Sequence, residues 1–413
     1  MTEVAARPDR RVVVTGLGAV SGIGTGVAEF CAGLRAGRSA VRPITAFDTT
    51  GFDHAMGCEV VGFVPADWVR ELDPSTIGRA AQFSVAAARM AVQDAELTEA
   101  ELRARPVLVC VGTTDGESRD LDHLVESEVR HGFAALAPDL AARVHAGRLS
   151  SSVAHELGLR RVEAVTLPTA CAAGNYAIGY GCDAIRSGDV TYALCGGSDA
   201  LCRKTFAGFY RLGTIAPERC QPFDRDRKGI LTAEGAGLLL LESLESARDR
   251  GARIHAEVLG YGLNCDAHHQ VAPEEQSVAV CMSLALANAG VRPDEVDLIS
   301  AHGTGTRAND VTEAAAIRRV FGPRPPRTVS VKSMLGHSMG AASALASVAC
   351  ILAISEGFIP PTINHVATDP ECGLDCVPNV AIAAQPRVVQ NNGLAFGGNN
   401  AVVVYGRFPG DSA

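Results

Sequence analysis

At 413 residues the chain has room for one large α/β fold or about two to three ordinary domains, and its 47% apolar and 20% charged residues exclude a disordered chain, a collagen-like rod and a coiled coil. A net charge of −9 argues against general nucleic-acid binding. Thirteen irregularly spaced cysteines read as reduced thiols of a cytoplasmic protein, charged residues precede any apolar run at the start, and the most apolar stretch, 341–354, is too short to cross a membrane.

Residues 1–10 and 408–413 read as loose ends. Between them, Val12-Val-Val-Thr15 is a β-branched strand stopped by Gly16-Leu-Gly18, and Val107-Leu-Val-Cys-Val111 before Gly112 repeats that style, as buried parallel strands do. Gly78 to Leu97 has apolar residues at helical spacing with Arg and Asp opposite, which predicts a surface helix over a sheet.

Two later segments resemble each other. Residues 164–174 run as strand, turn, Cys171 and Gly174 into an apolar helix ending near Ser187-Gly188. Residues 328–340 run as strand, turn, His337 and Gly340 into one ending near Glu356-Gly357. Neither helix carries much charge on any face, so both are expected to be buried all round. Two such helices between sheets predict a five-layer α-β-α-β-α fold of two related halves, 11–255 carrying the cysteine and 256–407 carrying two notable histidines.

Several motifs are ruled out by spacing. Gly16 to Gly22 leaves five intervening residues and fails the dinucleotide fingerprints, no lysine has a tyrosine four residues before it, and no Gly-Lys-Ser/Thr phosphate loop is present. There is no His-Glu-x-x-His helix, and Cys372 and Cys376 lack a second pair at zinc spacing, so no metal is expected. His268-His269 reads as a surface or entrance loop.

Cys171 stands apart, because it follows Thr169-Ala170 at a strand end and opens a helix, where free amides and the helix dipole favour a thiolate and supply an oxyanion donor. His302, in Ser300-Ala-His-Gly-Thr-Gly-Thr306, and His337, in Lys332-Ser-Met-Leu-Gly-His337, occupy glycine-flanked loops. Neither has a carboxylate in its own motif, which favours N–H donors over a protease-like relay.

Taken together, Thr169-Ala-Cys171-Ala-Ala-Gly174, Pro222-Phe-Asp-Arg-Asp-Arg-Lys-Gly229 with Glu234-Gly-Ala-Gly237, His302-Gly-Thr-Gly-Thr306 with Asp310, Lys332 to Gly340, and Phe396-Gly-Gly398 resemble the β-ketoacyl-acyl carrier protein synthases of the thiolase fold. The likeness is to the elongating Cys-His-His branch, which includes fatty-acid elongation synthases and type II polyketide ketosynthase α subunits. It runs from Arg11 to about Gly406.

The resemblance implies Cys171 as the acyl-accepting nucleophile, and His302 and His337 as stabilisers of the enolate formed when malonyl carrier protein loses CO2. Lys332 is implied to orient the site and pair with Glu234, and Phe396 to gate the acyl pocket, its amide forming an oxyanion hole with that of Cys171. Asp310 is implied as a supporting residue, and Thr304 and Thr306 as holding the phosphopantetheine arm. It implies no enzyme-bound cofactor, substrates carried on the phosphopantetheine of acyl carrier protein, and a homodimer or a heterodimer with a chain-length-factor-like subunit.

Two departures bear on the product. Asp115, in Gly112-Thr-Thr-Asp-Gly-Glu117, stands where fatty-acid elongation enzymes carry an apolar residue on the acyl-pocket floor, and points to a short, polar or unsaturated chain or to a pocket completed by a partner subunit; otherwise it caps a helix. Asn399 replaces the threonine common after Phe-Gly-Gly and points away from housekeeping fatty-acid synthesis, which remains the rival pathway. A thiolase would need a second cysteine in the C-terminal loop, and a chain-initiating synthase an asparagine in place of His337. A non-catalytic chain-length subunit would lack Cys171. Arg203, Lys204 and Arg211 are the expected docking cations for an acidic carrier.

Overall fold

A computed structural model describes residues 10–409. The expected loose ends fall mostly outside these residues, although Phe408 packs against Val13, Leu244 and Ala247.

The chain forms β1 (Val12–Ser21), α1 (Arg79–Asp94), β2 (Val107–Gly112), α2 (Ser118–His131), α3 (Arg148–Glu156), β3 (Val162–Leu167), α4 (Ala173–Ser187), β4 (Tyr192–Asp199), α5 (Arg203–Arg211) and β5 (Gly235–Ser243). There follow β6 (Ala256–Cys265), α6 (Glu275–Ala289), β7 (Leu298–Ser300), α7 (Arg307–Phe321), β8 (Arg327–Val329), α8 (Ala341–Glu356), β9 (Val388–Leu394) and β10 (Asn399–Gly406).

These strands lie in the order β8-β7-β9-β10-β6-β1-β5-β4-β2-β3. In each set of five, the strands run third, second, fourth, fifth, first, with the first–fifth and fifth–fourth pairs antiparallel and the other two parallel. The sets meet through a short antiparallel pairing of Val12–Val14 with 256–258. Helix α1 covers one face of the first set, α4 and α8 lie between the sets, and α6 with α7 covers the second set. This is the five-layer arrangement of the thiolase fold.

Three expectations are corrected. Strand β1 continues through Gly16 and Gly18 to Ser21; a Cβ at these glycines would lie 2.0 Å and 1.9 Å from the carbonyl oxygens of Ala91 and Ala87, so the glycines let α1 lie against the sheet. Helix α1 is itself buried from Ala80 to Val92, its Arg89 neutralised by Glu156 and Glu99. Helix α8 is enclosed through Ile354, whereas α4 keeps a wet edge at Tyr180 and Asp183.

The interlayer is not purely apolar. Asn175 donates to the Asn391 and Ala401 carbonyls, Asn391 donates to the Asn175 side chain and to Ser343 and Ser347, and Tyr405 donates to Ser347. This network ties α4 and α8 to the second sheet, where an apolar contact alone would leave their register free.

Candidate active site

Cys171 sits in the single 3-10 turn Ala170–Ala172 that opens α4, after Ala170 in the left-handed region at φ 50°. Gly112 at the end of β2 approaches so closely that a Cβ there would lie 2.3 Å from the Ala173 carbonyl. The thiol is buried, and burial pushes it up to about 12 despite the nearby Lys332 charge. The free cysteine is therefore a protonated thiol, contrary to the thiolate expected from its place at a helix start.

His302 and His337 come from the two other turns, with ring centroids 5.5 Å apart and planes at 82°. Cys171, His302, His337, Thr304, Thr306 and Phe396 line one cavity of about 110 Å³. Burial first, and then Lys332, hold both imidazoles well below the usual histidine range. The Met339 amide donates to His337 Nδ1 at 3.2 Å, which places that ring's proton on Nε2.

The ammonium of Lys332 donates to the His302 carbonyl at 2.6 Å. Its carboxylate neighbour is Glu313 on α7, not Glu234. Glu313 accepts from the His302 and Gly303 amides, each at 2.8 Å, and from Asn392 at 3.0 Å. Glu234 instead receives both arms of Arg79 together with the Val60 and Leu201 amides. The two carboxylates belong to different halves, and Glu313, like Lys332, holds the backbone of the His302 loop.

Asp310 accepts from the Phe223 and Gly305 amides and from Asn309, with the Arg227 Nε 3.4 Å away; burial pushes its carboxyl up to about 6. It thereby ties the 222–229 motif to the His302 loop. The hydroxyls of Thr304 and Thr306 lie 2.9 Å apart, and Thr306 caps α7. Phe396 packs at 5.2 Å on Phe209 of α5, a wall residue that no sequence motif marked. Val271 and Pro273 carry the exposed His268-His269 loop to the cavity wall.

Asp115 does not line this cavity and caps no helix. Its carboxylate accepts from Lys204 at 2.6 Å and from the Thr205 hydroxyl, while Lys204 also donates to Ser118. Lys204 is thus engaged by its neighbours and is not a free docking cation. Arg203 is exposed, with its guanidinium 5.4 Å from the Phe52 ring centroid, and Arg211 is exposed at the end of α5, three residues before Thr214 on the cavity wall.

Among the described residues no group of three or more His, Cys, Asp and Glu side chains could hold a metal ion, and no helix is long and apolar enough to cross a membrane.

Family models for the beta-ketoacyl synthase N-terminal and C-terminal domains match residues 9–247 and 255–366. Nodulation protein E of Rhizobium sp. (strain N33) is 40% identical over 96% of this chain and 99% of its own. The 3-oxoacyl-[acyl-carrier-protein] synthase 2 of Synechocystis sp. (strain ATCC 27184 / PCC 6803 / Kazusa) is 36% identical over 97% of this chain and 98% of its own. A chain of the solved ishigamide ketosynthase/chain length factor is 61% identical, with a TM-score of 0.96 over 98% of this chain and 100% of that one. With the duplicated fold and the motifs in register along its whole length, the chain belongs to the β-ketoacyl synthase family, the acyltransferases that make carbon–carbon bonds on acyl carrier protein.

Proposed function

We propose that this synthase catalyses decarboxylative Claisen condensation with Cys171, His302, His337 and Lys332 as its working groups, in a type II polyketide or specialised fatty-acid-like route. The observation that carries the assignment is the single cavity shared by one thiol and two neutral imidazoles 5.5 Å apart.

In the first half-reaction, the Cys171 sulfur attacks an acyl thioester on the carrier. The helix-start amides receive the oxyanion, and the thiol proton passes, in net terms, to the departing phosphopantetheine sulfur. Malonyl carrier then enters, with Thr304 and Thr306 holding its phosphopantetheine arm. Its carboxylate leaves as CO2, and the thioester oxygen takes the enolate charge against the two imidazole N–H groups. The enolate carbon attacks the acyl-Cys171 carbonyl, where the amides of Cys171 and Phe396 receive the charge. Collapse expels the cysteine sulfur, which regains a proton from water, and leaves a 3-oxoacyl carrier.

Burial, with help from the Lys332 charge, keeps the imidazoles neutral, and Lys332 anchors the His302 carbonyl; Glu313 fixes the loop, and Glu234 and Asp310 support it from outside. No cofactor is bound by the enzyme, and it works in the cytoplasm as two halves dividing at residue 255. Each donor to the enolate lowers the barrier by about 2.7–4 kcal/mol.

The 61% identity to a chain of a ketosynthase/chain length factor favours a specialised route and a heterodimer over housekeeping synthesis and a homodimer. The free side of edge strand β3 and the exposed stripe Leu121, Val125, Val129 and Phe133 suit a subunit partner. Arg211, with Arg203, is the docking cation for the acidic carrier. Asp115, paired with Lys204 and Thr205 away from the cavity, carries no argument about the acyl chain.

Incubation with saturated and polyunsaturated acyl carriers, followed by intact mass, tests the whole reading. Acyl mass on Cys171 and a 3-oxo product with malonyl carrier are expected. Absence of any acyl mass would make the chain a silent chain-length subunit.

A further inference from the structure

The side chain of Asp199 is a buried carboxyl group beside the site to which the reaction above gives no task. It ends β4 and is fully enclosed. One oxygen accepts from the Thr113 hydroxyl at 2.6 Å and the Asp115 amide at 3.1 Å; the other accepts from the Thr114 amide at 2.8 Å and the Gly340 amide at 2.6 Å. A carboxylate has about four acceptor positions, so this one is saturated by neutral donors.

Its donors join parts of the molecule far apart in sequence. Three come from the loop after β2, and the fourth opens α8, immediately after the His337 turn. The backbones there touch, since a Cβ at Gly340 would lie 2.5 Å from Thr113 Cα and one at Gly197 would lie 2.3 Å from the Gly340 carbonyl oxygen. Between His337 and Gly340, Met339 holds φ 51°, which a non-glycine residue keeps only when its surroundings impose it. That conformation turns the Met339 amide onto His337 Nδ1.

We propose that Asp199 is a positioning residue for the reaction. By gripping the Gly340 amide it holds the Met339 turn, and that turn fixes the tautomer and aim of His337, so that Nε2–H is the donor offered to the substrate. The catalytic part of this inference rests on the role proposed above for His337; the tautomer part does not.

Asp199→Asn is nearly isosteric but offers an amide N–H to donors that need an acceptor. Nitrogen-15 NMR of histidine-labelled protein is expected to give an unprotonated Nδ1 and a protonated Nε2 for His337 in the wild type, and to lose that pattern in the variant. Decarboxylation of malonyl carrier is expected to fall about tenfold to a hundredfold, as for other residues that orient a working group through a second one, with acyl loading of Cys171 kept within about threefold. An unchanged His337 spectrum, or equal loss of loading and decarboxylation, overturns the proposal.

If Asp199→Asn does not fold, Thr113→Val decides. A selective, severalfold fall in decarboxylation that Thr113→Ser restores supports the clamp, and unchanged decarboxylation overturns it. A wild-type protein that decarboxylates no malonyl carrier would sink the functional reading, while the histidine spectra would still test the clamp.

Discussion

Cys171 and His337 stand at matching places in the two halves, each in the turn between a sheet and an interlayer helix. Each turn contains a non-glycine residue in the left-handed region, Ala170 at φ 50° and Met339 at φ 51°. Burial acts on both, in opposite senses: it pushes the thiol up to about 12 and the imidazole well below its usual range. The outcome is the same, because a dry pocket selects the uncharged form of either group. Both turns are pressed against a strand-end glycine, the Cys171 turn on Gly112 and the His337 turn on Gly197. The His337 turn is in addition held by a hydrogen-bonded carboxylate. In the proposed mechanism, one place in a duplicated scaffold serves as a nucleophile and the other as a donor.

The most severe way to break this comparison is Cys171→Ala. Condensation should fall by about four orders of magnitude or more, as when other covalent nucleophiles are removed, while malonyl carrier still releases CO2 at the intact histidine pair. Full condensing turnover would end the assignment. His337→Ala should do the reverse, lowering decarboxylation by about 10²- to 10³-fold and leaving acyl mass on Cys171 within a few-fold. Equal losses in both assays would mean that the two turns do not divide the labour.

The pH dependence sharpens the point. With alkylation by iodoacetamide as the readout, the Cys171 rate should rise about tenfold per pH unit from 7 to 9.5 without a plateau, since the thiol titrates near 12. Decarboxylation should stay flat as pH falls through 6.5, because both imidazoles remain neutral there. A folded pKa below the unfolded one also means that these histidines add stability above about pH 6.5 that fades as pH drops toward their depressed values. An acid limb centred near 6.5 would contradict this.

The smallest effect is expected at the network shared by both helices. Asn175→Ala removes the acceptor of the buried Ser347 hydroxyl and should lower unfolding free energy by about 2–3 kcal/mol in urea titrations, with the order of the two catalytic effects unchanged.

Much of this could be read along the chain. The strand–turn–helix repeats, their glycine ends at Gly188 and Gly357, and the three reactive residues are local features, written in short windows of sequence. Charge partners were less legible. Lys332 suggested Glu234, yet Glu234 is held by Arg79, 155 positions away in the chain, while Lys332 sits beside Glu313. Asp115 looked like a pocket floor and proved to be the partner of Lys204, 89 positions away. Arg89 implied a wet helix face and is buried against Glu156.

The sequence by itself determined the duplicated architecture and marked Cys171, His302 and His337 as candidates, because periodicity and turn chemistry act over a few residues. Tertiary structure alone decided which carboxylate meets which cation, which tautomer His337 carries and that the resting thiol is neutral. Those depend on desolvation and on distances between layers, and both arise only when the two halves close on each other.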